Sequence, residues 1–166
     1  MGLEDIIDSA EAVGTRDQER QTVFREEFEA YEAGDRDQFP DTRDAIDAER
    51  AALDTLEAEL TAEADTIEEL AEHSAFLSVD QAVRHRDQTV EKLEAHNEHL
   101  REFHDEMAAA LSLVEKNLDT LEQDGPEAVD TDPEPQFERA YDALEAHNEA
   151  VDGLGTNLTI LNAYLL

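Results

Sequence analysis

Six histidines and forty-five carboxylates are the side chains of this 166-residue chain that could carry chemistry, because cysteine is absent. Without thiols there are no disulfides, no thiolate metal sites and no cysteine nucleophile. The densest set of titratable nitrogen is His96, His99 and His104, with His96 and His99 on one helix face at i, i+3 spacing. A carboxylate-bridged metal pair in a helical bundle needs a glutamate three residues before a histidine on each of two helices. The residues three before the histidines are Leu70, Ala82, Leu93, His96, Arg101 and Leu144, so that pattern is missing and no metal or cofactor is expected, with a His/carboxylate metal-binding bundle as an alternative reading. One hexapeptide, Leu93-Glu94-Ala95-His96-Asn97-Glu98, recurs unchanged as Leu144-Glu145-Ala146-His147-Asn148-Glu149. No glycine-rich phosphate loop and no G-x-S-x-G elbow is present, and the abundant acids lie mainly on faces suited to solvent. A non-enzymatic role is the expectation.

The elements that position these residues follow from apolar spacing. Val79, Val83, Arg86, Val90, Leu93, Asn97, Leu100, His104, Met107, Leu111, Val114, Leu118 and Leu121 alternate at four and three residues, a heptad stripe with Arg86, Asn97 and His104 as polar intruders. The spacing predicts an all-α protein, an elongated antiparallel bundle of about four helices over 3–33, 41–73, 79–122 and 136–163. An acidic, proline-rich loop fills 123–135. Gly34 suits a left-handed helix end, and Asp41 or Thr42 suits an N-cap for the second helix. Polar residues between Gly14 and Thr22 suggest a kink in the first helix.

Short turns make neighbours antiparallel. Folding helices 2 and 3 about residue 75 puts the seam acid Glu63 near Arg86, and Glu49 near Arg101 and His104. These pairs, with Asn97 at an a position, are expected to set register. The same folding places His147 opposite about residue 111, about fifteen residues or on the order of 22 Å from His96. The two hexapeptide copies are therefore expected to form similar polar layers and not one site. Beyond about residue 110 the hairpin of helices 3 and 4 is expected to stand alone, with Leu111 and Leu118 on a face that pairs with a second copy in a homodimer. From Leu154 onward no side chain is charged, so Leu158, Leu161, Tyr164 and Leu165 are expected to be buried or bound to a protein partner.

Two resemblances add expectations. His104-Asp105, preceded by Asn97-Glu98-His99-Leu100-Arg101-Glu102-Phe103, resembles the start of the phosphoacceptor helix of histidine kinases, which implies His104 as a phosphoryl acceptor in a signalling-type bundle. Glu106-Met107-Ala108-Ala109-Ala110 stands where that family has Leu-Arg-x-Pro, and no nucleotide-binding domain follows. The charge of −33, from twelve Lys and Arg against forty-five Asp and Glu, is similar to that of cytoplasmic proteins of salt-accumulating halophiles, especially haloarchaea. Only Lys92 and Lys116 are lysines. The acids are spread over every helix, which disfavours nucleic acid as a partner. No apolar run of about 18 residues suggests a membrane span. The expectation is a helical interaction or scaffold module of a halophile cytoplasm.

At molar salt the Debye length is roughly 3 Å, which screens mutual repulsion of the acids. Folding should therefore depend on salt: circular dichroism should show helicity rising with added KCl, and full helicity in dilute buffer without cations would contradict this.

Overall fold

The computed structural model describes residues 2–165, and these are all-helical with no strand. Five α-helices follow in order: α1 (Leu3–Glu32), α2 (Pro40–His73), α3 (Asp80–Asp124), α4 (Glu134–Ala150) and α5 (Leu154–Leu165), with a short 3-10 turn at Pro126–Ala128 between α3 and α4. The expected fourth helix is thus two. Gly153 takes φ +71°, a left-handed backbone that interrupts the ladder, and Lys92 Nζ donates to the Asp152 carbonyl at 2.6 Å in the gap.

Side-chain contacts give the packing. Arg20 meets Glu49 and Glu27 meets Thr42, so α1 and α2 run in opposite senses. Arg50 to Glu115 and Arg43 to Glu122 do the same for α2 and α3. Tyr141 packs its ring at a tilt to Phe103 of α3 and donates its hydroxyl to Asp17 of α1, which places α4 beside both. The main core holds Ile46, Leu53, Leu56, Leu100, Phe103 and Met107, all essentially buried. Each such side chain contributes roughly 1.5–3 kcal/mol by leaving water. A smaller cluster of Ile67, Leu93 and Leu154 closes the end of the molecule where α5 lies.

The register differs from the sequence-based expectation at both connections. Glu63 faces His96 and Asn97, about ten residues further along α3 than Arg86. The first two turns of α3 therefore project beyond the end of α2, and residues 74–79 are spent climbing about 10 Å along the axis at 1.5 Å per residue. The loop after α3 likewise turns back along it: Asn117 Nδ2 donates to the Thr131 carbonyl at 2.9 Å, and the two side chains also bond. α4 begins well below the end of α3, which brings His147 level with His96 and not with residue 111.

No hairpin arm stands alone. α1 and α2 reach the end of α3, where Tyr31 donates to the Leu121 carbonyl and the Phe39 N–H to Glu122. Leu111 and Leu118, expected on a partner-facing surface, are buried in the chain's own core.

α1 is continuous across the polar stretch from Gly14 to Thr22, because Asp17 and Arg20 turn inward. Gly34 does take the left-handed conformation after α1, at φ +79°. The N-terminus of α2 is capped by neither Asp41 nor Thr42. Pro40 occupies its first position, where no N–H is needed, and the buried Glu27 of α1 accepts from the Asp41 N–H, the Thr42 N–H and the Thr42 hydroxyl at 3.1, 2.8 and 2.7 Å. Arg36 pairs with the same carboxylate.

Removing that shared cap should cost about 2 kcal/mol, as for other helix caps and bonds to charged groups. In denaturant titrations at high salt Glu27→Ala should show this loss. The exposed neighbour Glu26→Ala should stay within about 0.5 kcal/mol.

Candidate functional site

The two copies of the hexapeptide meet. α3 supplies His96 and α4 supplies His147, their Nδ1 atoms 2.8 Å apart and both rings buried. This corrects the expected separation, because the loop 125–133 folds back and returns α4 at a lower level. The Nδ1–Nδ1 contact holds one proton, since one ring must donate and the other accept. Glu63 Oε1 from α2 lies 2.9 Å from His96 Nε2 but out of line with a ring N–H. Its other oxygen accepts from Asn97 Nδ2 at 2.9 Å, and the same amide nitrogen donates to the Leu60 carbonyl at 2.8 Å. Arg101 Nε completes the layer by donating to Asn97 Oδ1 at 2.8 Å. The structure therefore brings together Glu63, Asn97, Arg101 and His147 of the anticipated polar core, and adds His96.

Other anticipated pairs do not form. Arg86 bonds its neighbour Asp87, not Glu63. Arg101 serves Asn97, not Glu49. His104 lies at the edge of the seam with Nδ1 2.9 Å from Asp105 and Nε2 4.0 Å from Glu57. Among the described residues no group of three or more histidines and carboxylates is arranged to hold a metal ion.

A second buried polar layer was hidden in the stretch read as a kink. Arg20 Nε donates to Glu49 Oε2 at 2.7 Å, and its other arm bonds Asp17. Asp17 also accepts from Gln21 Nε2 at 2.8 Å and from the Tyr141 hydroxyl. The Arg20 guanidinium lies 4.9 Å over the Phe137 ring. Glu49 Oε1 is buried without a partner. Ile6, Ala10, Val13, Asp17, Arg20, Phe24, Glu27 and Tyr31 keep the four-three spacing, so the heptad reading applied to α3 would also have found these charges.

Each layer holds one group displaced from its ordinary range. Burial, and then the neighbouring His96, push His147 from its ordinary 6.5 down to about 4, against the pull of Glu63. Burial pushes Glu49 from 4.5 up to about 7, with Arg20 opposing and Asp17 assisting. Burial followed by the bond to Asp17 raises the Tyr141 hydroxyl. The remaining sequence-predicted residues belong to α5: Leu161 is buried, and Leu158, Tyr164 and Leu165 are half-buried, with Tyr164 stacked at 6.3 Å on His85 of α3. No protein-family model, curated protein or solved structure matches this chain.

The two shifts have opposite linkage. A histidine held neutral below its ordinary range binds fewer protons in the folded state, so its contribution is complete above 6.5 and lost as pH falls to about 4. A carboxyl held protonated contributes most below 4.5 and loses that contribution as pH rises to about 7. At about 1.36 kcal/mol per pH unit each is worth about 3 kcal/mol. The stability difference between wild type and His147→Gln should grow with pH between 4 and 6.5. The difference between wild type and Glu49→Gln should shrink between 4.5 and 7. Chemical denaturation at several pH values checks both signs.

Proposed function

We propose that this chain is a non-enzymatic helical interaction module that self-associates through the end of the molecule formed by α5 and the α2–α3 connection. The observation that supports this reading is the pairing of two rare features at one place. Phe76 and Val79, on the connection, are 70% and 61% exposed, the two most exposed large hydrophobic side chains among the described residues. At the same end of α3, with Tyr164 stacked on His85, lies α5, which carries no charge in a chain of net charge −33. Its outward residues Gly155, Thr156, Thr159, Asn162 and Ala163 are small or uncharged, while Leu158, Ile160, Tyr164 and Leu165 are half-buried.

α5 adds no carboxylate to such a contact, and the exposed Glu72 and Asp80 beside the connection are screened at molar salt. The first two turns of α3 project past α2 and carry this face outward. A second copy offers the matching surface with two-fold symmetry, as in most homo-oligomers. The polar layers inside the bundle serve this role by holding one register, so that the end face has a defined shape. The setting we propose is the salt-rich cytoplasm of a halophile, where the surface charge is screened. Among the described residues no helix is long and apolar enough to cross a membrane.

Light scattering in molar KCl should give a dimer for the full chain. The double variant Phe76→Asp and Val79→Asp should be monomeric with unchanged helicity, because both residues are already exposed. A wild-type chain that stays monomeric at every concentration rejects the proposal.

A further inference from the structure

α1 and α4 touch through the Asp17–Tyr141 bond and the Arg20–Phe137 contact, and alongside these they part over α3. The result is an open groove of about 750 Å³ whose floor is Val114, Leu118 and Leu121 of α3. Phe24 of α1 and Phe137 and Tyr141 of α4 make its walls. A volume of this size, mostly apolar with a few polar groups, is that of small-molecule sites in general. It lies on a different part of the molecule from α5 and the α2–α3 connection.

The charges around the groove select its occupant. Glu134, Glu138 and Asp142 follow one another at i, i+4 and i+8 along the α4 rim, and all three are exposed. The cation that reaches the groove, Arg20, is 4% exposed and has its charge matched by Asp17 and Glu49. An anionic ligand finds no free counter-charge there and faces a net charge of −33. A positive group can sit among the rim carboxylates while its apolar body lies against the Tyr141 ring and the floor. We propose that the groove binds an amphiphilic organic cation, one positive charge on an aromatic or aliphatic body. The shared chemistry is an ammonium next to hydrocarbon.

Three probes with a common naphthalene body separate the contributions: 2-(1-naphthyl)ethylamine, 2-(1-naphthyl)ethanol and 1-naphthaleneacetate. Each is titrated into the full chain in molar KCl and followed by naphthalene emission. The amine should saturate and bind at least tenfold more tightly than the acetate. Neutralising the rim with Glu134→Gln, Glu138→Gln and Asp142→Asn should bring the amine to within twofold of the alcohol. Removing three exposed acids elsewhere, by Glu4→Gln, Asp8→Asn and Glu11→Gln, should leave amine binding within twofold of wild type. Val114→Phe, which narrows the groove from its floor, should weaken amine and alcohol together; if that variant loses helicity, the two surface variants decide. Unsaturable amine binding, acetate binding as tightly as the amine, or an equal effect of the rim and distant variants would overturn the proposal.

Discussion

A charge placed in a helix seam has to meet its partner or remain buried alone, and this constraint governs the packing of all the long helices. The contact of Arg20 with Asp17 and Glu49 is the clearest case, since each of the three side chains is almost wholly out of water. Leucine and isoleucine seams tolerate displacement, because one apolar side chain of similar volume replaces another at modest cost. Sliding α1 by one heptad against α2 would preserve most apolar contact and strand the guanidinium. Breaking such a buried pair costs about 3–5 kcal/mol, a large share of a small protein's stability. Glu63 with His96 and Asn97, and Glu27 with the start of α2, impose the same condition at two other levels. Alternative registers are excluded by unpaired charge at each level more strongly than by shape.

Helices and seams were legible in the amino-acid sequence; the register between them was not. The stripe from Val79 to Leu121 and the seam of α2 identify the buried faces, and Gly34 identifies one helix end. Register depends on how connections run, and two runs of similar length can turn in place or climb. Residues 74–79 climb and the loop after α3 descends, shifts of about ten and fifteen residues that no local pattern records. Glu63 near Arg86 was a plausible pairing because acids are everywhere in this chain. His96 reaching Glu63 was hidden because neutral histidine carries no charge to match by sign.

The polar middle of α1 shows a different failure. Asp17 and Arg20 continue the four-three spacing begun by Ile6, Ala10 and Val13, yet their polarity suggested a kink. In α2 the intruders Glu49 and Glu63 were accepted as seam residues because leucines surround them on both sides. Spacing was the better guide than polarity in each case. Similarly, the absence of charge in α5 marked an unusual segment, but Phe76 lies in a connection where periodicity has nothing to say, and Val79, which opens the stripe, is left exposed where α3 projects past α2.

The repeated hexapeptide acquires a further meaning from its placement. Antiparallel helices that present the same six residues to one another define a local two-fold axis, and here it passes through the Nδ1–Nδ1 contact of His96 and His147. A single proton on that axis would have two equivalent homes. Glu63 stands on one side of the axis only, near His96 Nε2. Its negative charge favours hydrogen on that nitrogen, which leaves His96 Nδ1 as acceptor and makes His147 Nδ1 the donor. Two halves identical in sequence are thus made chemically distinct by one carboxylate from a third helix, and the tautomer of the pair reports where α2 sits.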